Sequence, residues 1–144
     1  MKPLPLLPRL LALASFFVAG LGFVSAQESG AAGSAATPAI RPGADGMVEV
    51  TFTYRPTRRE AQTVKDVTVA GEFNGWDAFA TPMTKQEDGT WAVTVPLKKG
   101  KGQWKFLVNG NWIQNMETVA ERIGPKPDRF VSDPYGGKNC ENDF

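Results

Sequence analysis

Two tryptophans stand just beyond Asn-Gly corners: Trp76 follows Asn74-Gly75 directly, and Trp112 follows Asn109-Gly110 after one residue. An indole carried past a turn is a flat apolar surface held out for stacking. Two such rings left without partners would forgo burial worth ~1.5 to 3 kcal/mol each. Each ring therefore belongs to a working surface or, for Trp76, folds back as a lid on the edge of the fold. An apolar floor with a few placed polar groups is the usual make-up of a small-molecule site. Other chemistry finds little material. The chain has no histidine, which removes the commonest metal ligand and the commonest general base at neutral pH. Cys140 is the only cysteine, so no intrachain disulfide can form. Burial as a small hydrophobe is expected for it, with a free thiol or an intermolecular pair as alternatives. Glycoside hydrolysis needs two carboxylates ~5 to 9.5 Å apart across a cleft. Glu72 and Asp77 are the pair nearest the first indole, and both read as solvated surface groups.

The elements that position the indoles are strands. Val48, Val50, Phe52 and Tyr54 alternate with Met47, Glu49, Thr51 and Thr53, the period of a strand with one buried face, and Pro56 ends the run. Val67 and Val69 resume the alternation after a polar stretch over 57–65 that reads as a loop or a helical turn. A short strand is expected over 81–86, a tight turn at Asp88-Gly89, and a strand carrying Trp91, Val93 and Val95 inward until Pro96 and Leu97. Lys98-Lys99-Gly100-Lys101, the one basic run, reads as a solvated hairpin loop. A strand over 103–108 then reaches Asn109-Gly110, the strongest hairpin signal in the chain.

A two-residue turn at Asn109-Gly110 sets Val108 opposite Asn111 and Leu107 opposite Trp112. Directly opposed residues share a face and neighbours along a strand do not. Trp104, Phe106 and Val108 therefore share one face, and Lys105, Leu107 and Trp112 the other. A lysine in mid-strand marks the wet face, which sends Trp104 and Phe106 to the core and stands Trp112 outward beside Lys105. A loop longer by one residue would reverse the assignment. Residues 114–133 give either one helical turn over 116–123, stopped by Gly124-Pro125-Lys126-Pro127, or a long loop. Residues 138–144 give a weak terminal strand. Short strands at this spacing, with no convincing helical period, make the chain all-β: an antiparallel β-sandwich of immunoglobulin-like type.

The first residues read differently. Lys2 and Arg9 give a positive start, residues 10–24 are continuously apolar, and Val24-Ser25-Ala26 fits a small-residue cleavage site. That run is short of the ~20 residues that cross a bilayer. A signal peptide over 1–26, cleaved after Ala26, is therefore expected, with the chain secreted or periplasmic and no membrane association after cleavage. Residues 27–46 are rich in Ala, Gly, Ser and Pro and read as a disordered or extended linker. Residues 47–144 are left for one domain with a single core. Taking Lys2 and Arg9 from the 16 basic residues leaves 14 against 15 acidic ones, a net charge of −1. That balance argues against nucleic acid as a partner, since phosphate binding calls for a marked basic excess.

Val69-Ala70-Gly71-Glu72-Phe73-Asn74-Gly75-Trp76, then Pro82-Met83, Gly89-Thr90-Trp91, Trp104-Lys105-Phe106-Leu107-Val108-Asn109-Gly110-Asn111-Trp112 and Tyr135-Gly136-Gly137-Lys138-Asn139 resemble carbohydrate-binding module family 48. That family includes the glycogen-binding domain of the AMP-activated protein kinase beta subunit and the N-terminal domains of isoamylases and branching enzymes. The resemblance runs over about 48–139. It implies an immunoglobulin-like sandwich able to bind α-1,4-linked glucan, with Trp76 and Trp112 stacked on glucose and Lys105 and Asn139 beside them. Departures from the pattern are Trp104 where tyrosine is usual, Asn115-Met116 in place of Asp-Pro, and a longer stretch to Asp133. Gly137 stands where a sugar-contacting threonine is common, and the polar Asn142-Asp143 replaces an apolar closing strand. The expectation is non-catalytic binding of α-glucan without a metal or other cofactor. The alternative is a structural or protein-interaction domain of the same fold, with the indoles turned to a protein partner.

Overall fold

The structure, a computed structural model, describes residues 39–144. The expected signal peptide and residues 27–38 of the expected linker lie outside them. The linker ends sooner than its composition suggests. Ile40–Pro42 forms a strand, β1, antiparallel to β2 (Met47–Tyr54), with Ile40 opposite Val50 and a short 3-10 turn at Ala44–Gly46 between them. One large apolar side chain suffices here: Ile40 packs against the core, and Arg41 pairs with Glu49 at 2.8 Å.

In β2 the expected alternation is complete, with Val48, Val50, Phe52 and Tyr54 buried and the intervening residues half-buried. β3 (Val67–Gly71) is buried on both faces. The stretch expected as one short strand bridges two sheets: Pro82 pairs with Thr68 of β3, and β4 (Thr84–Lys85) pairs with β5 (Trp91–Lys98). Gly89, at φ 83°, closes the expected tight turn between β4 and β5. β5 runs on through Pro96. Past Ala92 no strand among the described residues flanks its outer side, so a residue without an N–H is tolerated there.

β6 (Lys101–Val108) is followed by β7 (Asn111–Trp112), β8 (Ile123–Gly124), β9 (Arg129–Ser132) and β10 (Lys138–Asp143). One sheet runs β1-β2-β5-β4, with β8 also on β2; the other runs β3-β6-β10-β9, with β7 on β6. All these pairings are antiparallel, and the two sheets enclose the core between them as a β-sandwich. Phe52 joins the layers, 5.0 Å from Trp104 and 5.4 Å from Phe73 between ring centroids, spacings at which aromatic pairs attract beyond their burial.

The region 114–133 is neither a bare loop nor a single turn. A 3-10 segment at Met116–Arg122 buries Met116 and Val119; β8 then adds to the first sheet and β9 to the second. The terminal strand is also stronger than its polar sequence suggests. β10 lies between β6 and β9, and Asn142 is buried because its Oδ1 accepts the Trp104 indole N–H at 2.9 Å. Cys140 is fully buried opposite Trp104, and burial pushes its thiol pKa up to about 12.

Candidate functional site

The second hairpin has the register read from its two turn residues: Leu107 faces Trp112 and Val108 faces Asn111. Asn109 (φ 51°) and Gly110 (φ 74°) are both left-handed, as a two-residue turn matched to strand twist requires. The Asn109 side chain also fastens a neighbouring loop, accepting from the Lys65 N–H at 2.7 Å and donating to the Thr63 carbonyl at 2.9 Å. Trp104 and Phe106 point to the core with no exposure, and Trp112 stands outward, 37% exposed.

The first turn is built around Asn74. Its Oδ1 accepts from the Gly71 N–H at 3.0 Å, and its Nδ2 donates to the Val69 carbonyl at 3.2 Å and the Thr81 hydroxyl at 3.0 Å. Gly71 must be glycine at this point, because a Cβ would lie 2.5 Å from the Gln103 carbonyl oxygen. The chain leaves the turn through two consecutive left-handed residues, Gly75 (φ 65°) and Trp76 (φ 61°). Glycine adopts that conformation freely and tryptophan does so under strain. The consequence is a direction: the half-buried Trp76 ring lies 6.4 Å from the Trp112 ring, tilted by 52°. Trp76 thus lies against the other indole and, with it, lines an open depression.

Lys105 is on the outward face, as the register requires, but it is not wet. It is 4% exposed and forms an ion pair with Asp133, whose carboxylate is equally covered. The lysine in mid-strand marked the right face for a different reason from the one assumed: the turn after β9 folds over it and supplies an anion. Asp133 also accepts from the Tyr135 and Gly137 N–H groups, at 2.8 Å each. The bond from Lys105, then the bond from the Gly137 N–H, hold the Asp133 carboxyl below its usual range. Asn139, buried on β10, donates to Gln103 Oε1 at 3.2 Å. At Gly137 a Cβ would fall 2.1 Å from the Gln114 carbonyl oxygen, so the turn is packed too closely for any side chain there.

Trp76, Lys105, Trp112 and Asn139 line one open depression of about 790 Å³. Glu72 and Gln103 edge it on one side, and the turn bearing Asp133 and Tyr135 on another. Glu72 Oε2 accepts from the Gln103 N–H at 2.9 Å, which ties one oxygen of the carboxylate to backbone, and Asp77 accepts from the Phe79 N–H at 2.8 Å. Sequence reasoning missed Gln103 and the whole 133–135 side of the depression, of which Tyr135 and Asp133 matter most. Tyr135 is 89% exposed and adds a third aromatic ring to the rim. Its signal was present in Asp133-Pro134-Tyr135-Gly136-Gly137, a run of turn formers that presents one aromatic. Asp133 had a subtler signal, the need of a lysine in a covered strand for a carboxylate.

A β-sandwich with an aromatic-floored depression on one outer face has the form of a ligand-recognition module. The chain matches the family model of carbohydrate-binding module 48 (isoamylase N-terminal domain) over residues 61–136, and it belongs to that family. It is 30% identical over 118 residues to the 1,4-alpha-glucan branching enzyme GlgB of Photobacterium profundum, covering 81% of this chain and 16% of that enzyme. It is 47% identical over 47 residues to the 1,4-alpha-glucan-branching enzyme of Aspergillus oryzae, covering 33% of this chain and 6% of the enzyme. With the 5'-AMP-activated protein kinase subunit beta-1 of Sus scrofa it shares 38% identity over 48 residues, 33% of this chain and 37% of that subunit. The chain thus spans a small part of the branching enzymes it resembles.

Proposed function

We propose that this domain binds α-glucan (glycogen, starch or malto-oligosaccharide) and performs no chemistry on it, within an immunoglobulin-like sandwich whose export, secreted or periplasmic, is directed by residues 1–26 and followed by their removal. The observation that carries the reading is the pair of indoles 6.4 Å apart and tilted by 52°. The axial C–H groups of glucose form apolar patches that stack on flat rings, and the hydroxyls then take up the polar groups of the rim. Rings tilted against each other suit consecutive sugars of a chain that turns, as α-1,4-linked glucan does; a flat ribbon would call for coplanar rings. Gln103, Asn139 and the free oxygen of Glu72 provide donors and acceptors around that floor.

Calorimetric titration with maltoheptaose tests the proposal. Trp112→Ala is expected to weaken binding by about tenfold or more while the fold stays intact, since a central aromatic carries a large share of binding energy. Binding unchanged by that substitution removes the proposed site. A second reading, docking of a protein partner, draws on Phe79, which is 84% exposed outside the depression. Partner capture lost in Phe79→Ala, with no sugar response in the parent chain, would favour it.

A further inference from the structure

Tyr135 is held out from the surface by something other than its own packing. At 89% exposure its ring leans on almost nothing, so its place depends on the turn that carries it. One side chain ties that turn both to itself and to the sheet. Asp133 Oδ1 accepts from the Tyr135 and Gly137 N–H groups, and Oδ2 accepts from the Lys105 ammonium. Backbone bonds finish the frame, from the Asp133 N–H to the Gly137 carbonyl at 3.0 Å and from the Lys138 N–H to the Gln114 carbonyl at 2.9 Å.

Lys105 explains why the arrangement has a fixed place as well as a fixed shape. Its side chain is 5% exposed, and Asp133 is its only ion-pair partner among the described residues. A covered ammonium without an anion is strongly unfavourable, so strand and turn are locked at that contact. The same contact takes up one of the three N–H donors of the Lys105 ammonium.

We propose that Asp133 is the positioning residue of this site: by bridging Lys105 of β6 to the 133–137 turn, it keeps Tyr135 at the rim of the depression that Trp76 and Trp112 also line. Lys105 is then the anchor of the turn. This deepens the glucan reading and rests on it for the nature of the ligand, whereas the holding of the turn stands on the geometry alone.

A double-mutant cycle on maltoheptaose affinity, read by tryptophan fluorescence, tests the assignment together with chymotrypsin cleavage. Asp133→Ala and Tyr135→Ala should each weaken binding about tenfold, and the double variant should lose no more than about twofold beyond either, because the first substitution already removes what the second deletes. Losses that multiply, or full affinity in Asp133→Ala, overturn the proposal. Chymotrypsin should cut after Tyr135 much faster in Asp133→Ala than in the parent, with cleavage at other aromatics unchanged; a general loss of stability would speed all of them. Equal cleavage after Tyr135 overturns the positioning role whatever the sugar result. A parent chain that binds no maltoheptaose overturns the glucan reading instead. Should Asp133→Ala fail to fold because Lys105 is left without its anion, Asp133→Ala combined with Lys105→Met removes both charges together with the Oδ1 acceptor and carries the same cycle and the same cleavage test.

Discussion

Trp76 offers the sharpest test of how the site is built, because two substitutions that remove the same indole should differ in stability. Its φ of 61° places a bulky residue in the left-handed region. For an L-residue that conformation costs ~1 to 2 kcal/mol, and glycine escapes the penalty. Alanine keeps the penalty while lacking the ring, so Trp76→Ala bears the strain without any contact to offset it. Glycine gives back ~0.5 to 1 kcal/mol through its freer unfolded chain. The balance favours Trp76→Gly over Trp76→Ala by ~0.5 to 1 kcal/mol, the reverse of the usual order. For a domain of this size that is a melting temperature higher by roughly 4 °C, readable by circular dichroism. Both variants should lose maltoheptaose affinity to the same degree, since neither has an indole. Alanine as stable as glycine, or more so, would refute the strained turn and the inference that strain is tolerated in order to aim the ring.

Two further predictions concern titration. The folded pKa of Asp133 is depressed by Lys105 and by the Gly137 N–H, so its contribution to stability is complete above the unfolded value of ~3.9 and is lost as pH falls through the folded one. The stability gap between the parent and Asp133→Asn, measured by urea unfolding, should hold steady from pH 7 to 5 and narrow below about pH 4; a gap that persists at pH 2 would contradict it. Cys140 titrates the other way: burial raises its thiol to about 12 against ~8.5 unfolded, so stability should decline as pH rises above ~8.5. The same burial predicts no reaction with a disulfide reagent at pH 8 in the folded state and one thiol per chain after unfolding in guanidinium.

How legible the fold was depended on whether the deciding interaction is local. β2 and the Asn109-Gly110 hairpin follow from neighbours in sequence, by alternation and by turn chemistry, and the buried face of the one and the register of the other emerge as read. β1 and β9 depend on distant partners. Ile40 counts as a strand residue only because Val50 lies opposite, and Phe130 only because Cys140 does. The four residues singled out for the depression came partly from hairpin register and partly from family resemblance. Asp133, 28 positions from Lys105, shows no local pattern that names its partner. Its pairing becomes visible only when the turn after β9 closes over β6.

The departures from the family pattern are best understood in pairs. Trp104 stands where tyrosine is usual, and the end of the chain is polar where an apolar strand is usual. Exchanging a phenol for an indole brings a buried N–H, which if left unpaired would cost ~1 to 3 kcal/mol. Asn142 accepts that N–H at 2.9 Å, and its own amide donates to the Lys126 carbonyl at 2.8 Å, so the polar end of β10 is drawn into the core by the tryptophan. Gly137 and the lengthened 114–133 region form the second pair. The Gln114 carbonyl accepts the Lys138 N–H and lies where a side chain at 137 would be, so the close approach of these two backbones leaves no room for a threonine there. The same close approach seats the turn that Asp133 ties to Lys105. A rim that lacks one polar contact thus carries an aromatic, Tyr135, on a turn whose backbone Asp133 holds, and the site leans further toward stacking than its sequence motif alone implies.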